Sequence, residues 1–269
     1  MHSVGGGVVT GGPWWFGRRL CLMLSCVLAS SVAGPASLAE QGPVSGDATE
    51  ALACIQRALG GTAAFAAVSS LYIAGTTKPL QSSGMRPVPG TREISVVFPD
   101  RYRRADIGQP FQAGEAGMRS TVGFDRGVIL SNPKEPDPKR AEVSARQDFA
   151  RQLLMRLPRT LPGVRLSQRV TNDSGRERLA VDAFGPDGFR ATLLADRGSC
   201  VPMALQFVFV GGTVQDPWRV DLSEYRAFGG IKFPTLLRES SGGLPFREER
   251  VTSVEVNTPT ASKGFSPRQ

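Results

Sequence analysis

Apolar and polar residues alternate along most of this chain, and two stretches break the alternation with helical spacing. Trp218, Val220 and Leu222 alternate with Arg219, Asp221 and Ser223, and beyond Phe228-Gly229-Gly230 the residues Ile231, Phe233 and Leu237 share one parity. Period two on both sides of a glycine turn predicts paired strands, and Ser241-Gly242-Gly243 predicts a turn into a third. Residues 218–250 therefore read as an antiparallel meander with one apolar face and one wet face. Val68 to Ala74, the set Ile94, Val96 and Phe98, and Met118 to Leu130 predict further strands, and strand patterning runs from Val164 to Val256. Met203 to Val210 is apolar on both parities except at Gln206. Such a strand must be covered on both faces or must look into an apolar cavity.

Ala51, Cys54, Ile55 and Ala58 recur at helical spacing, with Asp47 three residues before Glu50 and Gly60-Gly61 behind them. This predicts a capped helix with a glycine stop. Phe149, Ala150, Leu153, Leu154 and Leu157 form a second helical stripe, ended by Pro158. Pro79 to Gly90 has no periodicity and reads as a loop, and Pro133, Pro136 and Pro138 exclude helix and inner strand from 131–138. The expected class is α+β and β-dominated: an antiparallel sheet with an N-terminal helix and a mid-chain helix packed on it.

The first forty residues differ in kind. Arg18 and Arg19 precede an apolar run from Leu20 to Ala29, and small residues follow to Ser37-Leu38-Ala39, which is the layout of a secretory signal peptide. The run is too short to span a bilayer. Export to the periplasm is therefore expected, with 1–39 cleaved, one domain over 40–257, and a frayed tail over 258–269. Cleavage removes two arginines and no acid, so the formal charge falls from +8 to +6. A basic exported protein can meet anionic lipid or an envelope partner, and export argues against nucleic acid. A monomer is expected. Of the four cysteines, Cys54 and Cys200 lie outside the leader. An oxidising compartment permits them one disulfide, and two separately buried thiols are the alternative.

The single histidine, His2, falls in the leader, which removes Ser-His, Cys-His and histidine-base arrangements from the mature chain. Ser131 and Lys134 match S-x-x-K, but the prolines beside them deny the helix that this chemistry needs. Asp216 with Asp221, and Glu248 with Glu249, are the nearest approaches to a carboxylate pair. Neighbouring acids on a strand point to opposite faces and mostly to solvent. No metal-ligand spacing, phosphate-cradling loop or cofactor motif is present. The expectation is a protein that is not an enzyme and carries no cofactor or metal. Arg101, Arg103 and Arg104, close to Arg92, are candidates to hold an anionic head group.

Four stretches carry a family resemblance: A-L-G-G-T-A-A-F-A-A-V-S-S-L-Y-I-A-G (58–75), V-F-P-D-R-Y-R (97–103), Y-R-A-F-G-G-I-K-F-P-T (225–235) and V-T-S-V-E-V-N (251–257). With the order of elements, they resemble the exported lipoprotein-carrier and lipoprotein-sorting proteins with the Lol-type fold. The resemblance implies a strongly curved antiparallel sheet, an incomplete barrel, with helices on its concave side. It also implies an apolar cavity that holds a lipid or a lipoprotein acyl chain. Parity then places Phe98, Leu205, Phe207, Phe209 and Trp218 on that cavity. The alternative function is an envelope interaction module of the same fold whose core is filled by its own side chains.

Overall fold

A computed structural model describes residues 47–80, 89–108, 119–208 and 218–265. The leader and Phe209 lie outside the described residues. Among those described, twelve strands form one antiparallel sheet that does not close into a barrel, accompanied by four helices. The chain opens with α1 (Thr49–Ala58) and α2 (Thr62–Ala66), then runs through β1 (Ser70–Pro79), β2 (Gly90–Val97), β3 (Arg101–Gly108), β4 (Arg119–Asp125) and β5 (Val128–Asn132). After α3 (Pro138–Arg156) come β6 (Arg165–Asp173), β7 (Arg176–Phe184), β8 (Arg190–Asp196), β9 (Pro202–Val208), β10 (Trp218–Phe228), β11 (Ile231–Ser241) and β12 (Leu244–Val256). A last short helix is α4 (Thr260–Lys263).

Every pairing follows chain order except one. β1 pairs with β12, so β5 and β6 become the two free edges of the sheet. α3 is the connection between those edges. It packs against β4 and β5 on one side and β8 and β9 on the other. The helix must therefore cross the inner face of the curved sheet, which is why its buried residues run from Ala141 to Arg156 and from Asp148 onward include both polar and apolar types.

Local chemistry explains the element ends. Asp137 caps α3, accepting from Lys139 N at 2.9 Å and Arg140 N at 3.3 Å, and Pro138 stands at the first helical position, where its missing N–H costs nothing. At α1 the N-cap is Ala48, so the capping box expected from Asp47 and Glu50 does not form; Asp47 stands one residue ahead, where its carboxylate takes the Thr49 N–H and hydroxyl at 3.2 and 2.7 Å. The stretch read as one strand over 118–130 is two, β4 and β5, because Arg126 and Gly127 take positive φ in the turn between them. β3 had no alternation to reveal it, since its inward positions include Arg104 and Asp106. The tail read as frayed holds α4, with Ala261 fully buried and the Arg101 guanidinium 4.3 Å over the Phe265 ring.

Gly60 fixes the approach of α1 to the β10–β11 turn. Its φ is +136°, and a Cβ there would sit 2.3 Å from the Gly230 carbonyl oxygen, beside the bond from Lys232 N to Leu59 O at 2.7 Å. Gly60→Ala should therefore lower stability by about 1–3 kcal/mol, read as a drop in the urea midpoint at unchanged slope. An unchanged midpoint would show that the contact yields freely.

Candidate functional site

The inner face of the sheet carries two kinds of lining. One is apolar: Leu71, Ile73, Ile94, Val96, Leu205, Val220, Leu222 and Leu237 are all no more than 5% exposed and pack with α1 and α3 in one core. The other is charged. Register places Arg92 opposite Asp106, Glu249 opposite Thr77, and Glu239 opposite Arg247, so acids and bases gather on the inner face of β2, β3, β11 and β12. α3 supplies the remainder from Asp148, Arg151, Gln152 and Arg156.

These groups form one connected network. Glu249 accepts from Arg156 Nη2 at 2.5 Å and from Arg92 Nη1 at 2.7 Å, and Arg156 also donates to Gln152. Arg92 Nε reaches Asp106 Oδ1 at 2.6 Å. Asp148 accepts from the Tyr102 hydroxyl at 2.5 Å, Arg104 Nη1 at 2.6 Å and Arg151 Nη2 at 2.9 Å. Burial alone would raise the Glu249 carboxyl, but Arg156 and Arg92 overcome it and hold its pKa at about 2. Asp148 is likewise pushed up by burial and carried below the usual carboxylate range by Arg104 and Arg151. Burial and the Asp148 carboxylate push the Tyr102 phenol up. Each charge in this cluster is answered by another, an arrangement that couples α3 to the sheet.

Open space lies at the seam of the incomplete barrel. A cleft of about 210 Å³ is bounded by Phe149 and Ala150 of α3, Phe124 of β4, Leu161 and Val164 of the α3–β6 segment, and Phe189 after β7. An adjoining cleft of about 420 Å³ is lined by Phe98, Pro99, Phe149, Arg159, Thr160, Leu161 and Pro162. The two share Pro99, Phe149, Leu161 and Pro162. Phe149 is the hub, with ring centroids 5.2 Å from Tyr102, 5.3 Å from Phe124 and 6.5 Å from Phe98. Polar groups at the first cleft are the exposed Asp100, Arg146 and Asp187 and the half-buried Gln147. No cluster of His, Cys, Asp and Glu among the described residues is placed to hold a metal ion.

No family model matches the chain, and no curated protein does. Solved structures do. A LolA superfamily protein from Nitrosomonas europaea is 10% identical with a TM-score of 0.49, covering 80% of this chain and 95% of its own. A domain from Vibrio parahaemolyticus named for outer membrane lipoprotein sorting is 10% identical with a TM-score of 0.47, covering 79% and 94%. A DUF1329 family protein from Desulfovibrio piger is 9% identical at 0.48, covering 82% and 98%. The chain is similar to proteins of Lol type. The likeness concerns the course of the chain and says nothing of what this protein holds.

On this sheet the residues singled out from the sequence separate. Phe98 reaches a cleft. Leu205 is fully buried, and Phe207 is 8% exposed, stacked on Trp218 at 6.3 Å with the Arg151 guanidinium 4.7 Å over its ring. They share the inward parity expected for them and pack in one core with residues of α3, and neither lines the two seam clefts. Trp218 stands at the rim, edge-on to Phe246 at 5.1 Å. The three arginines do not converge. Arg104 points inward to Asp148, while Arg101, on the opposite parity with Arg103, pairs with Asp125 at 2.8 Å. Cys54 of α1 and Cys200 of the β8–β9 turn are joined as a disulfide.

Glu249 was missed because charge on an alternating strand suggests solvent. Glu248 does face outward, to Arg238 and Arg250, but Glu249 is 1% exposed. The signal was its parity with Val251, as Arg92 shares parity with Ile94 and Val96. The cleft residues of 161–164 and 185–189 had no such signal, because only the path of α3 brings them together.

Proposed function

We propose that the protein is a non-enzymatic, exported binding protein of the cell envelope that takes an apolar chain, of a lipid or a lipoprotein, into the seam cleft. The observation that carries this reading is the pair of aromatic-lined clefts that meet at Phe149 of α3. Each methylene buried there contributes about 0.8 kcal/mol, so a run of eight gains about 6 kcal/mol before the cost of association. Export is supported by the leader-like first 39 residues and by a disulfide that requires an oxidising compartment. The non-enzymatic reading is supported by Ser131, whose hydroxyl donates to Pro133 O at 2.9 Å and accepts from Glu135 N at 3.2 Å. It braces a turn beside Lys134.

Native mass spectrometry of protein purified without detergent, followed by organic extraction, tests the reading. A stoichiometric adduct that extracts as lipid is expected. Val143, half-buried on the α3 wall of the first cleft, offers the matching variant. Val143→Trp should fill the space and reduce chain uptake at least tenfold with the fold retained. A clean unliganded mass, with no uptake of added fatty acid, would sink the proposal. That outcome favours a second reading, an interaction module, to which the buried charge network filling the concavity lends support.

A further inference from the structure

The seam carries one arginine that stands apart from the network. Arg159 follows Pro158 just beyond α3, half-buried, with its guanidinium 4.4 Å over the Phe98 ring. Among the described residues it ion-pairs with no carboxylate, and its hydrogen bond is to Val68 O at 3.4 Å. Burial is the influence on this side chain and draws its pKa below the usual arginine value, with no carboxylate to offset it. The contrast is with Arg92, Arg101 and Arg104, each closed by an acid within 3 Å. A guanidinium presents five donors in a planar fork that matches the oxygens of a carboxylate or a phosphate, and stacking on a ring fixes the plane of that fork.

Charge is distributed unevenly along the seam. Among the described residues the cleft that Arg159 borders has no acid in its lining, whereas Asp100 and Asp187 border the other, where the one arginine, Arg146, is already paired with Glu142 at 2.8 Å. An anion is therefore favoured at the Phe98 end and disfavoured at the Phe189 end, while the apolar walls run continuously through Phe149. We propose that the ligand of the seam is a single-chain amphiphile with an anionic head, whose oxygens accept from Arg159 while its chain passes Phe149 toward Phe124 and Phe189. This rests on the reading of the seam as a chain-binding site and adds the chemistry and direction of the ligand.

Three probes of one chain length test it by titration calorimetry and native mass spectrometry: dodecanoate, dodecyl phosphate and 1-dodecanol, each below its aggregation threshold. Either anion should bind about tenfold or more tightly than the alcohol, and the stronger of the two identifies the head as carboxylate or phosphate. Arg159→Gln should remove that preference, so that the two anions bind no more tightly than the alcohol. Arg159→Lys, which keeps the charge and loses the fork, should retain part of it. Equal binding of all three probes, unaffected by Arg159→Gln, would overturn the head-group assignment and leave the cleft reading standing. Binding of none would overturn both.

Discussion

Replacing Glu249 with glutamine should destabilise the protein by about 3–5 kcal/mol, although the two side chains have nearly the same shape. The reason is what remains behind. Arg92 and Arg156 are each 2% exposed and both donate to this carboxylate. A neutral amide can accept one of their hydrogen bonds but cannot answer their charge, and a buried cation without its partner keeps its desolvation cost. Urea unfolding should show the midpoint falling at constant slope. A loss under about 1 kcal/mol would mean that water or Glu239, 3.4 Å from Arg92, can take over the role.

The same carboxylate gives the stability of the protein a direction in pH. Its folded pKa, about 2, lies below the unfolded value of about 4.3. A depressed carboxyl contributes stability above its unfolded pKa and loses it as pH falls through the folded one, so the window of loss is roughly pH 4 to 2. A gap of about two units corresponds to about 3 kcal/mol. Asp148 and Asp106 are shifted in the same direction by Arg104 and Arg92 and add to the same slope. Stability measured from pH 6 to 2 should fall steeply in the parent and less steeply in Glu249→Gln. Parallel curves would show that Glu249 is not the group responsible.

This network also marks the limit of what alternation reveals. Period two identified most strands and the face each one buries, because side-chain direction in a strand depends only on the residue's own parity. Leu205, Val220 and Leu237 were readable for that reason. Parity says which face a residue takes and not what meets it there. The pairing of β1 with β12 and the return of α3 between the sheet edges are decided by contacts far apart in sequence. They set Phe207 against Arg151 of α3, and they gathered the clefts around Phe149. Glu249 was assigned to solvent because a lone buried charge is prohibitive, yet it lies with Arg92 and Asp148 in the same interior. Only the register of four strands and one helix shows that each has a partner.

Reduction of the Cys54–Cys200 disulfide is the second change expected to have a large effect. The bond closes a loop spanning 146 residues, more than half of the chain. Loop-closure entropy for that length predicts about 5 kcal/mol of stabilisation, at the upper end of what native disulfides deliver. Most of this acts on the unfolded chain, because α1 has other attachments in the folded one. Ala51 N donates to Gln168 Oε1 at 3.1 Å, Gln56 Nε2 to Pro158 O at 2.9 Å, and Lys232 N to Leu59 O at 2.7 Å. Cys54→Ser with Cys200→Ser should therefore keep the folded spectrum and the cleft while lowering stability by about 3–5 kcal/mol, with a steeper urea dependence because the unfolded chain is freer to expand. Wild-type protein in dithiothreitol should coincide with the double variant. If the oxidised, reduced and substituted proteins all unfold at one midpoint, α1 is held by its hydrogen bonds and its apolar face alone. The disulfide would then contribute nothing to stability, and the argument for an oxidising compartment would fall back on the leader.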